Sequence, residues 1–318
     1  MKAPFPWFGG KSGAADLIWE RIGPVANFVD PFCGSAALLL TCPYDVPIIT
    51  LNDADGFVAN FWRAVATDPN EVATHLDWPV NEIDLFARHA WLVQQKKGLA
   101  RQLEIDPFYY DAKIAGWWCW GACAWIGAGW CSGDGPWSVE NGEITNRKLP
   151  HLGDAGRGVN RKLPHLGDAG QGVNRKLPHL GDAGQGDHLY TYMSALCAAL
   201  RHARVACGDW SRVVTPSVTT RHGITGVVLD PPYGEGEQEY SAGGNSDKGL
   251  AERVWRWAID HGDDPLFRIA VCAYDDGRAL PNGWTKVRWA ARKGYQMTDT
   301  AKKTPIGRFA TLARTASI

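Results

Sequence analysis

The chain has 318 residues, of which 45% are hydrophobic and 21% charged, and its formal net charge is −1. This describes an ordinary soluble globular protein, long enough for one large α/β domain or for a domain with a sizeable insertion. No apolar run is long enough to span a bilayer, no signal-peptide pattern opens the chain, and the eight cysteines lack paired CxxC spacing, so we expect a cytoplasmic protein with reduced thiols.

The first 62 residues alternate between strand-like and helix-like patterns. The segments "NFVD" (27–30) and "PIITLND" (47–53) have the pattern of short buried strands, and a helical stretch follows each of them. This βαβ rhythm predicts a parallel sheet.

Residues 63–137 have helical periodicity and are rich in tryptophan. The run "GWWCWGACAWIGAGWC" (116–131) is most simply a buried helix with close neighbours, since it combines Trp, Gly and Ala. Its Cys119 and Cys123 are four residues apart, which favours neighbouring thiols on a helix over a zinc site.

A tandem repeat with a period of fourteen residues follows. "NRKLPHLGDAGRGV" (146–159) recurs with small changes at 160–173 and 174–187. Each unit contains an Arg-Lys pair, a proline and a glycine-rich turn, which predicts a loop and not a helix. Two interpretations stay open: a duplicated flexible excursion, or a set of basic loops that lie on a polyanion.

Strand-like segments return in the second half of the chain. They are "RVACGDW" (204–210), "GVVLD" (226–230) and "LFRIAVCAY" (266–274). The simplest architecture is therefore one α/β domain that is interrupted between about residues 63 and 190.

The C-terminal part is locally basic. From Lys286 onwards there are eight Lys or Arg residues and one acid, Asp299. A phosphate-binding face can be hidden in a neutral total charge, but charge alone favours a solvated basic tail.

Four aspartates stand at the ends of predicted strands, where open α/β sheets bind ligands. They are Asp30, Asp53, Asp209 and Asp230. Any one of them alone is more simply a helix cap or a turn residue. The four together, with the turn at Gly34 and the N-terminal "PWFGGK" (6–11), predict one binding site.

The order of these motifs carries a resemblance. The chain contains PWFGGK, DPFCGSA (30–36), ND (52–53), a long insertion, GDW (208–210) and DPPY (230–233). It thereby resembles the Dam-like family of adenine-N6 DNA methyltransferases, and with its tandem repeat it looks most like the phage or prophage members. The family often has glycine where this chain has Ala36, which is small enough to keep the turn.

The resemblance implies a fold and a function. The fold is α/β, with a Rossmann-like class I S-adenosylmethionine-dependent methyltransferase sheet and an inserted, largely helical or loop target-recognition domain. The catalytic domain then comprises 1–62 and 190–318, and the insertion comprises 63–189 with the repeats at 146–187. The implied enzyme methylates adenine at specific sites in double-stranded DNA and takes the methyl group from S-adenosylmethionine. Neither a membrane nor a metal ion is expected as a partner.

The resemblance also implies roles for individual residues. The cofactor pocket would contain Trp7, Lys11, Asp30, Phe32, Gly34, Ser35, Asp53, Asp209 and Trp210. Lys11 would reach the carboxylate of the methionine part, which Asp30 and the turn after it would hold. Asp53 would accept hydrogen bonds from the ribose hydroxyls and Asp209 from the adenine amine, and Trp210 would pack on the adenine ring. In the insertion, the Arg-Lys pairs of the repeats become candidate DNA-binding residues: Arg147, Lys148, Arg161, Lys162, Arg175 and Lys176.

The resemblance implies that the target base is bound by Asp230, Pro231, Pro232 and Tyr233. The exocyclic amine of adenine is a poor nucleophile because its lone pair is delocalised into the ring. The Asp230 carboxylate and the Pro231 carbonyl are two acceptors for its N–H groups, and Pro232 restricts Pro231 to extended conformations. Tyr233 offers a face on which a flipped-out base can stack.

Other functions fit fewer of these residues. Cytosine-C5 methylation needs a nucleophilic cysteine, typically in a Pro-Cys pair, and the chain has no such pair. Cytosine-N4 methylation is the close alternative, but those enzymes usually have Ser in place of Asp230. A catalytically silent DNA-binding protein, an RNA or small-molecule methyltransferase and a NAD-dependent dehydrogenase also stay open, although DPPY, the basic insertion and the missing glycine fingerprint favour DNA methylation.

Overall fold

The computed structural model describes residues 1–7, 11–125, 130–131, 137–140, 143–146, 187–232, 249–274, 279–289 and 308–312. The strands in these ranges are β1 (Asn27–Asp30), β2 (Ile48–Asp53), β3 (Trp137–Glu140), β4 (Glu143–Asn146), β5 (Ala203–Cys207), β6 (Thr225–Leu229), β7 (Phe267–Tyr274), β8 (Thr285–Trp289) and β9 (Arg308–Leu312). The α-helices are α1 (Ala15–Ile22), α2 (Ala37–Thr41), α3 (Gly56–Thr67), α4 (Pro69–Leu76), α5 (Glu82–Ile105), α6 (Ala112–Ala124), α7 (Asp187–Ala199) and α8 (Leu250–His261).

One sheet of seven strands has the order β5–β2–β1–β6–β7–β9–β8. The five strands β5, β2, β1, β6 and β7 are parallel, whereas β9 is antiparallel to both of its neighbours. The predicted α/β fold with a parallel, Rossmann-like sheet is confirmed. The chain adds β2 and β5 on one side of β1 and then returns to place β6 on the other side. A topological switch point therefore lies between β1 and β6, at the carboxyl ends of the strands where such sheets bind ligands.

The strands predicted from apolar runs are confirmed within one to three residues at each end. Strand β6 is buried along its whole length and β1 likewise, as parallel strands covered on both faces are. Three features were not predicted: the antiparallel hairpin of β3 and β4, and the strands β8 and β9 in the C-terminal segment that we interpreted by its charge alone.

Four consecutive helices begin at a side-chain cap. Asp55, Asp68, Asn81 and Asp111 each accept a hydrogen bond from a backbone N–H in the first turn of α3, α4, α5 and α6, respectively. Such caps satisfy donors that a helix start leaves unpaired. They divide residues 55–124 into helices, which confirms the predicted helical character of this stretch.

The tryptophan-rich run forms a buried helix, as predicted. Residues 116–124 of the run belong to α6, and Cys119 and Cys123 are both buried on it. Gly116 lies so close to His75 and to the carbonyl of Val72 in α4 that a Cβ would have no room. The rest of the run extends past Trp125, where residues 126–129 lie outside the described part.

Two hydrophobic cores cover the two faces of the sheet. In β1 the neighbouring residues Phe28 and Val29 belong to different cores, because successive side chains of a strand point to opposite faces. The first core also contains apolar side chains from α3 to α7, so the helices of the proposed insertion share a hydrophobic core with the sheet. The division into two domains at residues 62 and 190 stays a prediction. None of the helices in the described ranges is long and apolar enough to cross a membrane.

Candidate active site

The switch point brings two predicted site residues together. Asp30 is the last residue of β1, and Asp230 directly follows β6, the neighbouring parallel strand. Both carboxylates are largely buried, with side-chain exposures of 1% and 11%. Two acids so close together in a buried place need a cation between them.

Lys11 supplies this cation. Its Nζ lies 3.4 Å from Asp230 Oδ2 and 3.8 Å from Asp30 Oδ1, and it donates a hydrogen bond of 2.8 Å to the carbonyl of Phe32. Burial lowers the pKa of Lys11, but the carboxylates of Asp30 and Asp230 outweigh it and raise the pKa above its ordinary value. Burial raises the pKa of Asp30, against the effect of Lys11. Two carboxylates therefore share one ammonium group.

The turn between β1 and α2 is tightly fixed. Gly34 has φ of 48°, and a Cβ on it would clash with the indole ring of Trp7. Its N–H donates to Asp53 Oδ2 at 3.0 Å, and its carbonyl accepts from Trp62 Nε1 at 2.8 Å. Trp7, which we predicted in the cofactor pocket, thus packs on the glycine of this turn, and Ser35 beside it is buried.

Ala36 explains why the resembling family often has glycine at this place. Its φ of 50° lies in the left-handed region, which disfavours an L-residue by about 1–2 kcal/mol. The turn nevertheless forms, as predicted, because the Ala36 N–H donates to the carbonyl of Cys33 and its small side chain is completely buried.

Asp53 lies at the end of β2, as predicted, and is buried. Its Oδ2 accepts from Gly34 N at 3.0 Å and its Oδ1 from Asp55 N at 2.9 Å. Burial raises its pKa to about 7, and the nearby Asp55 carboxylate adds to this, although the two backbone hydrogen bonds act in the opposite direction. A carboxylate has about four lone-pair sites, so these two bonds leave it able to accept more.

The loop after β5 meets the loop after β1. Asp209 is exposed and caps a short 3₁₀ helix. Its carboxylate accepts hydrogen bonds from the backbone N–H and the hydroxyl of Ser211. Trp210 is buried and stacks on Phe32, with ring centroids 6.2 Å apart and an angle of 26° between the planes. The predicted adenine-side and methionine-side residues therefore adjoin.

Part of the predicted site lies outside the described residues. Pro231 and Pro232 follow Asp230, but Tyr233 lies outside the described part, as do all six Arg and Lys residues proposed to bind DNA. Sequence reasoning assigned no role to Trp62, which donates to the carbonyl of Gly34, or to Asn52, which donates to the carbonyl of Pro31. Asn52 had a readable signal, since it belongs to the ND pair at 52–53 on which the resemblance partly rests. Among the described residues, no group of three His, Cys, Asp or Glu side chains is placed to hold a metal ion.

A comparison with protein families decides between the open functions. The family model described as D12 class N6 adenine-specific DNA methyltransferase matches residues 7–113. This part of the chain is therefore similar to the D12 class of N6 adenine-specific DNA methyltransferases. The matched segment begins at Trp7 and contains Lys11, Asp30, Gly34 and Asp53 of the site described above. No curated protein matches the chain.

The match confirms the predicted enzyme class, an adenine-specific DNA methyltransferase, and with it DNA as the substrate. The central parallel sheet of five strands is consistent with the fold class of this family. The proposed phage origin and the roles of the individual site residues stay predictions.

Proposed function

We propose that the protein transfers a methyl group from S-adenosylmethionine to the N6 amine of a flipped-out adenine at a specific site in double-stranded DNA. The observation that carries this proposal is the placement of Asp230, whose carboxylate follows β6 at the switch point and is paired with Lys11 at 3.4 Å. An acid held there, next to the turn at Gly34, can accept a hydrogen bond from an amine that enters the crevice.

The described residues fit this cofactor. S-adenosylmethionine carries hydrogen-bond donors at three separate places: its ammonium group, its ribose hydroxyls and its adenine amine. The chain offers acceptors at three strand ends, Asp30, Asp53 and Asp209, in the order in which β1, β2 and β5 lie side by side. In addition, the buried Nε1 of Trp210 has no hydrogen-bond partner among the described residues, so it is a donor without an acceptor.

When bound, S-adenosylmethionine would supply an electrophilic methyl group on a sulfonium. The protein's own part is to prepare the amine. Asp230 accepts one N–H of the adenine amine and the Pro231 carbonyl accepts the other, which favours a pyramidal nitrogen with a localised lone pair. Lys11 holds the Asp230 carboxylate in place and stabilises its charge, so the site acts by positioning and electrostatics.

The adenine must leave the duplex to reach Asp230, which costs about a few kcal/mol of stacking and pairing. We propose that Tyr233 recovers part of this by stacking, and that the Arg-Lys pairs of the repeats contact phosphates of the DNA. Asp at position 230 favours adenine over cytosine, in keeping with the matched family.

The test is methyl transfer with the purified chain. The protein is incubated with unmethylated double-stranded DNA and S-adenosylmethionine that carries a tritiated methyl group, and the DNA is digested to nucleosides. We expect label in N6-methyldeoxyadenosine at one recurring sequence. Label in N4-methyldeoxycytidine would establish the alternative, and cofactor binding without any transfer would indicate a silent DNA-binding protein.

A further inference from the structure

Asn52 connects the two loops that flank the proposed cofactor site. It is the penultimate residue of β2, which lies between β1 and β5, and its side chain is 1% exposed. Its amide Nδ2 donates to the carbonyl of Pro31 at 2.9 Å and to the carbonyl of Gly208 at 3.0 Å. One side chain therefore holds the loop after β1 on one side and the loop after β5 on the other.

Backbone hydrogen bonds from the same strand complete the connection. Cys33 N donates to the carbonyl of Asn52 at 2.9 Å, and Gly208 N donates to the carbonyl of Asp53 at 3.0 Å. These bonds attach each loop to β2 separately. Asp53 also bonds to both loops, but with two separate groups, its carboxylate on Gly34 N and its carbonyl on Gly208 N. Among the described residues, the amide nitrogen of Asn52 is a single atom that bonds to both loops, so it ties their separation directly.

We propose that Asn52 is a positioning residue that fixes the separation of the methionine half and the adenosine half of the cofactor site. The inference rests on the proposed function, because it takes the loop with Phe32 to hold one half and the loop with Trp210 to hold the other. Asparagine suits the position chemically. Its amide has two N–H groups that diverge by a fixed angle, whereas aspartate has no donor and alanine has no polar group.

A ligand that spans both loops depends on their separation, whereas a ligand that contacts one loop does not. For the spanning ligand, the contacts on the second loop are made only when the first has been placed correctly. Loss of the Asn52 amide should therefore weaken S-adenosylhomocysteine, which contains both halves, far more than 5′-methylthioadenosine, which contains the adenosine half only.

The experiment measures both dissociation constants by titration calorimetry for the wild-type chain, Asn52→Asp and Asn52→Ala. We expect the dissociation constant of S-adenosylhomocysteine to rise about tenfold or more, the effect of losing one to two ordinary buried hydrogen bonds. That of 5′-methylthioadenosine should rise less than threefold, so that the ratio of the two affinities collapses.

Asn60→Asp is the matched control. Asn60 is also a buried asparagine, and its Nδ2 donates to the carbonyl of Asp111 while its Oδ1 accepts from Asp111 N, both at 2.8 Å, at the start of α6. Its replacement should lower the melting temperature and leave the affinity ratio unchanged.

The outcomes separate the inference from the proposed function. If the wild-type chain does not bind S-adenosylhomocysteine, the proposed function fails and the inference falls with it. The positioning role is overturned if the wild type binds but both Asn52 variants lose affinity for the two ligands equally, or keep the wild-type affinity for both. It is also overturned if both variants fail to fold, because Asn52 is then a structural residue.

Discussion

Lys11 Nζ lies 3.4 Å from Asp230 Oδ2, which ties the N-terminal segment of the chain to the acid that follows β6 more than two hundred residues later. The same ammonium group is 3.8 Å from Asp30 and donates to the carbonyl of Phe32. The acid proposed to receive the substrate amine is thus held by a cation of the protein itself. That Lys11 also reaches the carboxylate of the cofactor stays a prediction.

Replacement of Lys11 by methionine should destabilise the protein. Asp30 and Asp230 would be left as buried carboxylates without their ammonium, and breaking such a pair by removing one partner costs about 3–5 kcal/mol. Urea denaturation should show this loss, and the double variant Lys11→Met with Asp30→Asn should recover part of it because one uncompensated charge is gone. Lys97→Met, at an exposed lysine, is the control and should change little. Equal stability of Lys11→Met and wild type would mean that the ion pair is unimportant.

Asp230→Asn should abolish most of the methyl transfer and preserve cofactor binding. The amide keeps one oxygen but loses the charge that Lys11 holds, so we expect the rate to fall about 10²-fold or more. Single-turnover transfer of tritiated methyl and calorimetry with S-adenosylhomocysteine would measure the two effects. Asp68→Asn, which exchanges one good helix cap for another at the start of α4, should alter neither. Transfer near the wild-type rate would remove Asp230 from the mechanism.

Gly34→Ala should impair both stability and cofactor binding. At a φ of 48° an alanine is disfavoured by about 1–2 kcal/mol, and its Cβ would clash with Trp7 besides. Gly98→Ala is the matched control, because Gly98 lies inside α5 with nothing within 4 Å of an added Cβ. It should stabilise the protein by up to about 1 kcal/mol. Thermal unfolding that ranks the two variants in the opposite order would contradict the structure of the turn.

Cofactor affinity should rise with pH through about 7. Burial raises the pKa of Asp53 to about 7, and the ionised carboxylate is the better acceptor for ribose hydroxyls, so binding favours the form present above that pH. Calorimetry with S-adenosylhomocysteine between pH 6 and pH 8 should show this rise in the wild type. Asp53→Asn should bind more weakly and without this pH dependence. A parallel pH profile in both proteins would exclude Asp53 as its source.

Acid should destabilise the fold through His89. This histidine is buried, stacks on Trp125 and accepts a hydrogen bond from Cys131 N, and burial lowers its pKa to about 4. The unfolded chain takes up the proton near pH 6.5, so stability present above that pH is lost as the pH falls towards 4. The loss should reach about 1.4 kcal/mol at pH 5.5. His89→Gln should flatten this part of the stability profile, whereas His202→Gln, at an exposed site, should not.

The sequence was most informative where a buried strand ends in a polar residue. Asp30, Asp53 and Asp230 could be placed at strand ends because apolar runs stop there, and the structure has them there. The two partners of Lys11, Asp30 and Asp230, could not be inferred from spacing, because they lie at the ends of strands that are far apart in the sequence. Their adjacency depends on β6 pairing with β1, which is a property of the whole sheet.

The missed strands have different causes. Hairpin β3–β4 encloses Asn141 and Gly142, a common two-residue hairpin signal that the neighbouring repeats obscured. Strand β9 lies between β7 and β8 although it follows both in the chain, and this pairing is long-range. Its basic surroundings gave a charge pattern but no apolar run. Side-chain hydrogen bonds such as those of Asn52 likewise become visible only when three strands are assembled.

Helix α4 packs against both α6 and α7, so the helices that precede and follow the repeats in the chain are two anchors on a common support. The fourteen-residue units lie between these anchors. Doubling the length of a loop adds only about 0.6 kcal/mol of closure entropy. With the repeats as the loop that the sequence predicts, we expect units to be gained or lost in whole copies while the sheet, the Lys11 ion pair and the anchors stay as they are. Copy number is then a variable that evolution can adjust without rebuilding the catalytic residues, and relatives of different length should differ first in how many units they carry.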